Sequence, residues 1–186
     1  MIRFFIISLL IFIQIKAYAE ENRQLHQENA GTPNAQGWYT GASTLGGFKA
    51  SFPLPYSDWS IDVEDSIQTI NYMGATSADG VKLILVEFPI FDETKSRDIQ
   101  EITKILAANG KLQYGKIFEY QGFPSSQIAI ETDDSIAIFR VVVHENKTYQ
   151  MSVEYPQDKF DTLEALVNQY FDSLEFKNDT SEINEE

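Results

Sequence analysis

The chain has 186 residues, 43% hydrophobic and 13% aromatic, with 28 acidic residues against 14 basic ones and a net charge of -14. That length suits one ordinary domain or two small ones, and the composition excludes a collagen, a fully disordered chain and a polytopic membrane protein. Cysteine is absent, which excludes a disulfide framework, a thiolate zinc site, an iron–sulfur cluster and a cysteine nucleophile.

Residues 1–19 read MIRFFIISLLIFIQIKAYA. Arg3 precedes an apolar run over 4–13, about half the length a bilayer span needs, and Ala17-Tyr18-Ala19 supplies a small-x-small cleavage pattern. This is the pattern of a secretory signal peptide cleaved after Ala19, which sends the chain to the periplasm or the medium. With no cysteine behind the apolar run, a lipid anchor is excluded. Cleavage removes Arg3 and Lys16 and leaves 12 basic residues against 28 acidic, a net charge of -16. Such a surface repels nucleic acid, whose affinity rests on Lys and Arg contacts to phosphate, and disfavours an anionic bilayer. Cations and basic protein surfaces remain allowed, and the charge is equally accounted for by solubility.

Residues 20–36 hold one large aliphatic side chain, Leu25, and no periodicity. They read as a disordered arm in which His26 is solvated. Residues 177–186 read as a disordered acidic tail. The folded domain is expected over 37–176. Within it, 48–52 alternates and stops at Pro53, which reads as a short strand. Residues 66–76 form a second strand, Ser77-Ala78-Asp79-Gly80 a turn, and 81–88 (VKLILVEF) a central strand apolar on both faces. Over 92–109 the period changes: Ile99, Ile102, Ile105 and Leu106 make one helical stripe, closed by Asn109-Gly110. Residues 111–120 read as a strand with a bulge at Gly115. A three-strand meander follows over 127–155, in which Tyr149, Met151, Val153 and Tyr155 face one way. A last helix is expected over 157–172, with Phe160, Leu163, Val167, Tyr170, Phe171 and Leu174 as its stripe. The order strands, helix, strands, helix with tight turns predicts an α+β domain: a single antiparallel sheet of about six to seven strands with two main helices packed on it.

Four pieces stand in the order seen in the PsbP-like family of small exported bacterial proteins: Gly47-Phe48-Lys49-Ala50-Ser51-Phe52-Pro53, Gly122-Phe123-Pro124, Lys147-Thr148-Tyr149-Gln150-Met151-Ser152-Val153 and Phe171-Asp172-Ser173-Leu174-Glu175-Phe176. The chain resembles that family over 46–176. The resemblance implies a sandwich of antiparallel sheet and helices, and accessory or binding roles with no shared catalytic set. Ser125 stands where family members often have a glycine, so no functional residue carries over.

The residues themselves offer few chemistries. His144 ends a strand beside Glu145, and a general base or metal ligand there would need fixed partners. Ser125-Ser126 lies outside any G-x-S-x-G elbow and reads as turn residues starting a strand. Asp58, Asp62, Glu64 and Asp65 are oxygen donors that could hold calcium, but they lack EF-hand spacing. A solvated acidic loop is the plainer reading. Trp38, Tyr39, Tyr56 and Trp59 flank the first strand and could line a binding groove or cap the core. Arg140, alone in an apolar strand, reads as half of a structural ion pair. No cofactor is expected. The leading reading is an exported, non-enzymatic accessory protein that works through a protein partner in the envelope. A small-ligand or lipid carrier with a pocket between sheet and helix is the alternative, and a carboxylate-based hydrolase the third.

Overall fold

The computed structural model describes residues 23–63, 68–89, 98–132, 134–157 and 163–177. In chain order they form β1 (Arg23–Ala30), β2 (Tyr39–Ala42), β3 (Phe48–Phe52), β4 (Tyr56–Asp62), β5 (Thr69–Thr76), β6 (Lys82–Pro89), α1 (Ile99–Ala107), β7 (Lys111–Tyr120), β8 (Phe123–Glu131), β9 (Ser135–His144), β10 (Lys147–Pro156), α2 (Glu164–Asp172) and β11 (Glu175–Phe176). The large sheet runs β1-β4-β5-β6-β10-β9-β8-β7 and a small one β11-β3-β2, with every pairing antiparallel.

Two meanders, β4-β5-β6 and β7-β8-β9-β10, build the large sheet. Their turns are local and readable: Gly80 takes φ +90°, and Gln121-Gly122 take +53° and +84°, the paired left-handed residues of a tight two-residue hairpin. The meanders meet at the β6–β10 seam, where Leu83 opposes Val153 and Leu85 opposes Met151. Tyr149, Met151, Val153 and Tyr155 are all buried on one face of β10, as the alternation predicts. That face is covered by the small sheet and α2: Phe48 and Phe52 of β3 and Val167, Tyr170 and Phe171 of α2 close over Met73, Leu83, Met151 and Val153. Each such side chain contributes about 1.5–3 kcal/mol of burial. On the opposite face α1 sets Ile99 and Leu106 against Ile128, Ile130, Val141 and Val143. The helix starts where the Asp98 carboxylate accepts from Gln100 N at 2.8 Å.

Two helices thus pack on an antiparallel sheet, as expected, but the strands are more numerous and lie in two sheets rather than one. Three further differences stand out, the first two with clear causes. Residues 23–30, read as part of a disordered arm, form the edge strand β1. Its polar side chains find polar partners on β4, with His26 Nε2 and Ser60 Oγ 2.8 Å apart and Gln24 Nε2 donating to Asp62 Oδ2 at 2.9 Å. Apolar content alone underestimated what backbone pairing satisfies. Residues 56–62, read as aromatics and an acidic loop, form β4, whose buried positions include Asp58 and Ser60. Polar residues at core positions erased the alternation. Ser125 and Ser126 are buried inside β8 rather than in a turn. The expected signal peptide, Glu64, Asp65, residues 92–97 and 158–162 of the two predicted helices and nearly all of the acidic tail lie outside the described residues. Lys177, assigned to the tail, is tied down: its backbone N–H donates to Gly47 O at 2.8 Å and its Nζ to Gly46 O at 2.7 Å.

Candidate functional site: the β7 edge and the cleft under α2

β7 ends the large sheet, and among the described residues no strand lies beyond it. Ten residues therefore present one row of backbone N–H and C=O groups to solvent. Pairing with β8 sets the faces. Tyr114, Lys116, Phe118 and Tyr120 oppose Ala129, Gln127, Ser125 and Phe123 on the α2 side, whereas Leu112 and Ile117 oppose Ile130 and Ser126 on the α1 side. Leu112 and Ile117 are each 52% exposed and Tyr114 38%, a concentration of apolar surface on one edge.

Between β7–β10 and α2 lies a cleft of about 620 Å³ lined by Tyr114, Lys116, Gln127, Ile138, Tyr155, Glu164, Val167 and Asn168. Its volume falls within the range of small-ligand pockets. The floor is organised by Arg140. Its Nε and Nη2 donate to Gln127 Oε1 at 3.1 and 2.9 Å, and its Nη1 to Asp172 Oδ1 at 2.6 Å. The rings of Phe118, Tyr120 and Phe171 lie 5.0–5.5 Å from the guanidinium. Gln127 Nε2 then donates to Tyr114 Oη at 3.0 Å. One polar chain thus runs from the C-terminal end of α2 under the cleft to the exposed edge. Arg140 forms the ion pair that its place in an apolar strand implied. Tyr120 Oη and Gln121 Nε2 donate to Leu174 O at 3.0 and 2.8 Å and pin the far end of β7 to the segment after α2. Burial, with the neighbouring Tyr114 adding to it, pushes the Tyr155 hydroxyl up to about 12.

The residues singled out in the sequence fall elsewhere. Trp38 and Tyr56 are buried in the core under the small sheet, and Tyr39 packs against that cluster. Trp59 points to the opposite face of β4, where it stacks on Tyr72 at 5.6 Å and carries Arg23 at 4.2 Å from its ring. Opposite pleats separate these four aromatics, so they line no common groove. Asp58 is 0% exposed and accepts from Ser43 Oγ at 3.1 Å and Thr44 N at 2.7 Å. Asp62, at the exposed end of the same strand, accepts from Gln24 and Thr69. Among the described residues no three His, Asp or Glu side chains group as a metal site. His144 is packed between Phe123 and Phe176, with ring centroids at 4.2 and 4.3 Å. Ser125 Oγ donates to the Phe123 carbonyl.

Sequence reasoning missed Glu87. It is buried and accepts from Asn71 Nδ2 at 2.9 Å and Gly47 N at 2.8 Å, with Lys147 Nζ at 3.2 Å. The signal was present: a lone carboxylate in the apolar run VKLILVEF, of the same kind as Arg140.

Against solved structures, the cyanobacterial PsbP protein CyanoP from Synechocystis sp. PCC 6803 superposes with a TM-score of 0.53 at 13% identity, over 79% of this chain and 96% of that one. The fold is PsbP-like. Lower similarity is found to a Pseudomonas aeruginosa protein of unknown function (TM-score 0.44, 9% identity, 73% and 94% coverage) and to LpqN of Mycobacterium tuberculosis, described as involved in cell envelope biogenesis (TM-score 0.38, 13% identity, 87% and 95%). No protein-family model and no curated protein matches the sequence. At these identities the PsbP-like likeness concerns architecture alone.

Proposed function

We propose that the chain is an exported, non-enzymatic accessory protein that works by binding a protein partner in the cell envelope. The observation that carries this reading is the β7 edge, where Leu112, Tyr114 and Ile117 lie exposed beside backbone that pairs with no strand among the described residues. Soluble chains seldom leave such an edge bare without a use for it. The N-terminal segment supports export, and no helix among the described residues is long and apolar enough to cross a membrane. The test is a photo-crosslinker placed at Ile117 and, as a control, at Asp62, in cells of the source organism. A partner captured at Ile117 and not at Asp62 supports the reading. Equal labelling at both positions, or none at Ile117, sinks it.

A second reading is favoured by the cleft itself. It lies between sheet and helix, as a small-ligand carrier requires, and joins apolar Ile138 and Val167 to polar Lys116, Gln127 and Asn168. Small molecules extracted from the protein purified from its own host would test it, and a clean extract would count against it. A hydrolase draws little support: Glu164 is the one carboxylate among the described residues that line the cleft, whereas glycoside hydrolysis needs two facing each other.

A further inference from the structure

Resting on the partner reading, we infer that β7 takes up an extended segment of the partner as an added strand, and that this segment alternates acidic and apolar residues. The backbone supplies the first half of the argument. β7 is ten residues long, contains no proline and carries one bulge, between Leu112 and Tyr114. An extended chain can therefore satisfy its outer N–H and C=O groups over most of its length. Side chains supply the second half. A guest strand alternates between the two faces of the sheet. On the α1 side its residues meet Leu112 and Ile117, which are apolar and half exposed. On the α2 side they meet Phe118 and, at the mouth of the cleft, Tyr114 and Lys116.

Charge selects the guest. β7 carries Lys111, Lys116 and Glu119: Lys116 stands with Tyr114 and Phe118 on the α2 side, and Glu119 with Ile117 on the α1 side, in a chain with twice as many acidic as basic residues. Lys111 pairs with Glu131 at 3.1 Å. Lys104 and Lys116 have no ion partner among the described residues. The α2 side of the edge is thus cationic at Lys116, on an anionic protein. An acidic side chain opposite Lys116 makes a favourable cross-strand pair, and a basic one a repulsive contact.

The test uses synthetic probes. The first is an eight-residue capped peptide alternating glutamate with valine. The second has lysine in place of glutamate. The third is the glutamate peptide N-methylated at alternate residues, which removes one row of donors and leaves the side chains. Binding is read by fluorescence anisotropy and located by amide exchange along residues 111–120. The glutamate peptide is expected to bind about tenfold more tightly than the other two and to slow exchange on β7, and Lys116→Glu is expected to invert the charge preference. Equal binding of the N-methylated peptide overturns strand addition. Equal binding of the lysine peptide overturns the charge rule, and protection placed elsewhere, or no binding up to about 1 mM, overturns the inference whole. Self-association that competes with peptide would make a second copy the occupant and overturn it too. A partner crosslinked at Ile117 whose capture Lys116→Glu leaves unchanged would overturn this inference while the partner reading stands.

Discussion

Tyr170 sits on α2 with its side chain fully buried against Phe52 and Phe171, and no group among the described residues lies within hydrogen-bonding distance of its hydroxyl. Burial pushes that hydroxyl far above its ordinary range. An unsatisfied buried donor costs about 1–3 kcal/mol. Tyr170→Phe removes the donor, and the vacated space of a few cubic ångströms costs only about 0.2 kcal/mol at the rate measured for cavities. The variant is therefore expected to be more stable than the parent by about 1 kcal/mol, against the usual direction of core substitutions. Tyr120→Phe is the matched opposite. Its hydroxyl donates to Leu174 O at 3.0 Å and to Asp172 O at 3.2 Å, so the same chemical change is expected to cost about 1 kcal/mol. Urea unfolding at neutral pH measures both, provided the slope with denaturant is unchanged. In melting temperature each shift is about 2–4 °C for a domain of this size. If Tyr170→Phe lowers the midpoint, or both variants move in the same direction, hydroxyl pairing as drawn here does not govern the stability of this core.

Three further outcomes follow from the same structure. The Asp172 side chain is 65% exposed and that of Arg140 6%, so Asp172→Ala strands a buried cation and is expected to cost about 3 kcal/mol. Arg140→Met strands only Gln127 Oε1 and is expected to cost about 1–2 kcal/mol; chemical denaturation giving the reverse order would refute the argument. A Cβ on Gly41 would lie 1.7 Å from the buried Tyr56 hydroxyl, so Gly41→Ala is expected to lose about 2 kcal/mol, and an unchanged melting temperature would mean that β2 gives way freely. Burial raises the Tyr72 and Tyr155 hydroxyls to about 12. Their contribution is complete below pH 10, where the unfolded tyrosines are neutral, and is lost as the pH climbs from 10 to 12. Unfolding midpoints measured across that window should fall, and Tyr72→Phe should flatten the fall.

Local order was legible where one side of an element is wet and the other dry. Tyr149, Met151, Val153 and Tyr155 marked the buried face of β10, and Ile99, Ile102 and Leu106 marked the buried face of α1, whereas Ile105, read in the same stripe, is 44% exposed. Two things hid the rest. Polar residues occupy buried places: Asp58 and Ser60 in β4 are held by Ser43, Thr44 and His26, and a pattern reader sees a loop. Partner choice is also non-local. β6 and β10 are apolar on their buried faces, but nothing in either states that Lys147 pairs with Pro89 and Glu154 with Lys82, far apart in the chain. Which strands become edges depends on that pairing, so a sheet of eight strands with β7 at its end could not be read from periodicity.

The two edges of the large sheet differ in a way that favours β7 over β1 as the proposed site. β1 carries one large aliphatic, Leu25, and its Arg23, Gln24, His26 and Gln27 turn to partners on β4 or the neighbouring loop. Its composition is that of a strand made safe by polarity. β7 has two of the usual protections, a bulge and lysines, yet it keeps Leu112, Tyr114 and Ile117 in solvent. Neither apolar member of the α1 side serves a covered core: Leu112 and Ile117 lie at the margin of the cluster under α1 and are absent from it. A chain under pressure only to stay soluble would be expected to place polar residues there, as it does on β1. The lysines fit a different demand. Lys116 makes the α2 side of the edge attractive to a strand of opposite charge, the arrangement proposed above. Arg140 was legible in the sequence as the lone charge in an apolar strand. The surface it supports was not, because Lys116 and Ile117 acquire meaning only once β7 is known to be last in the sheet.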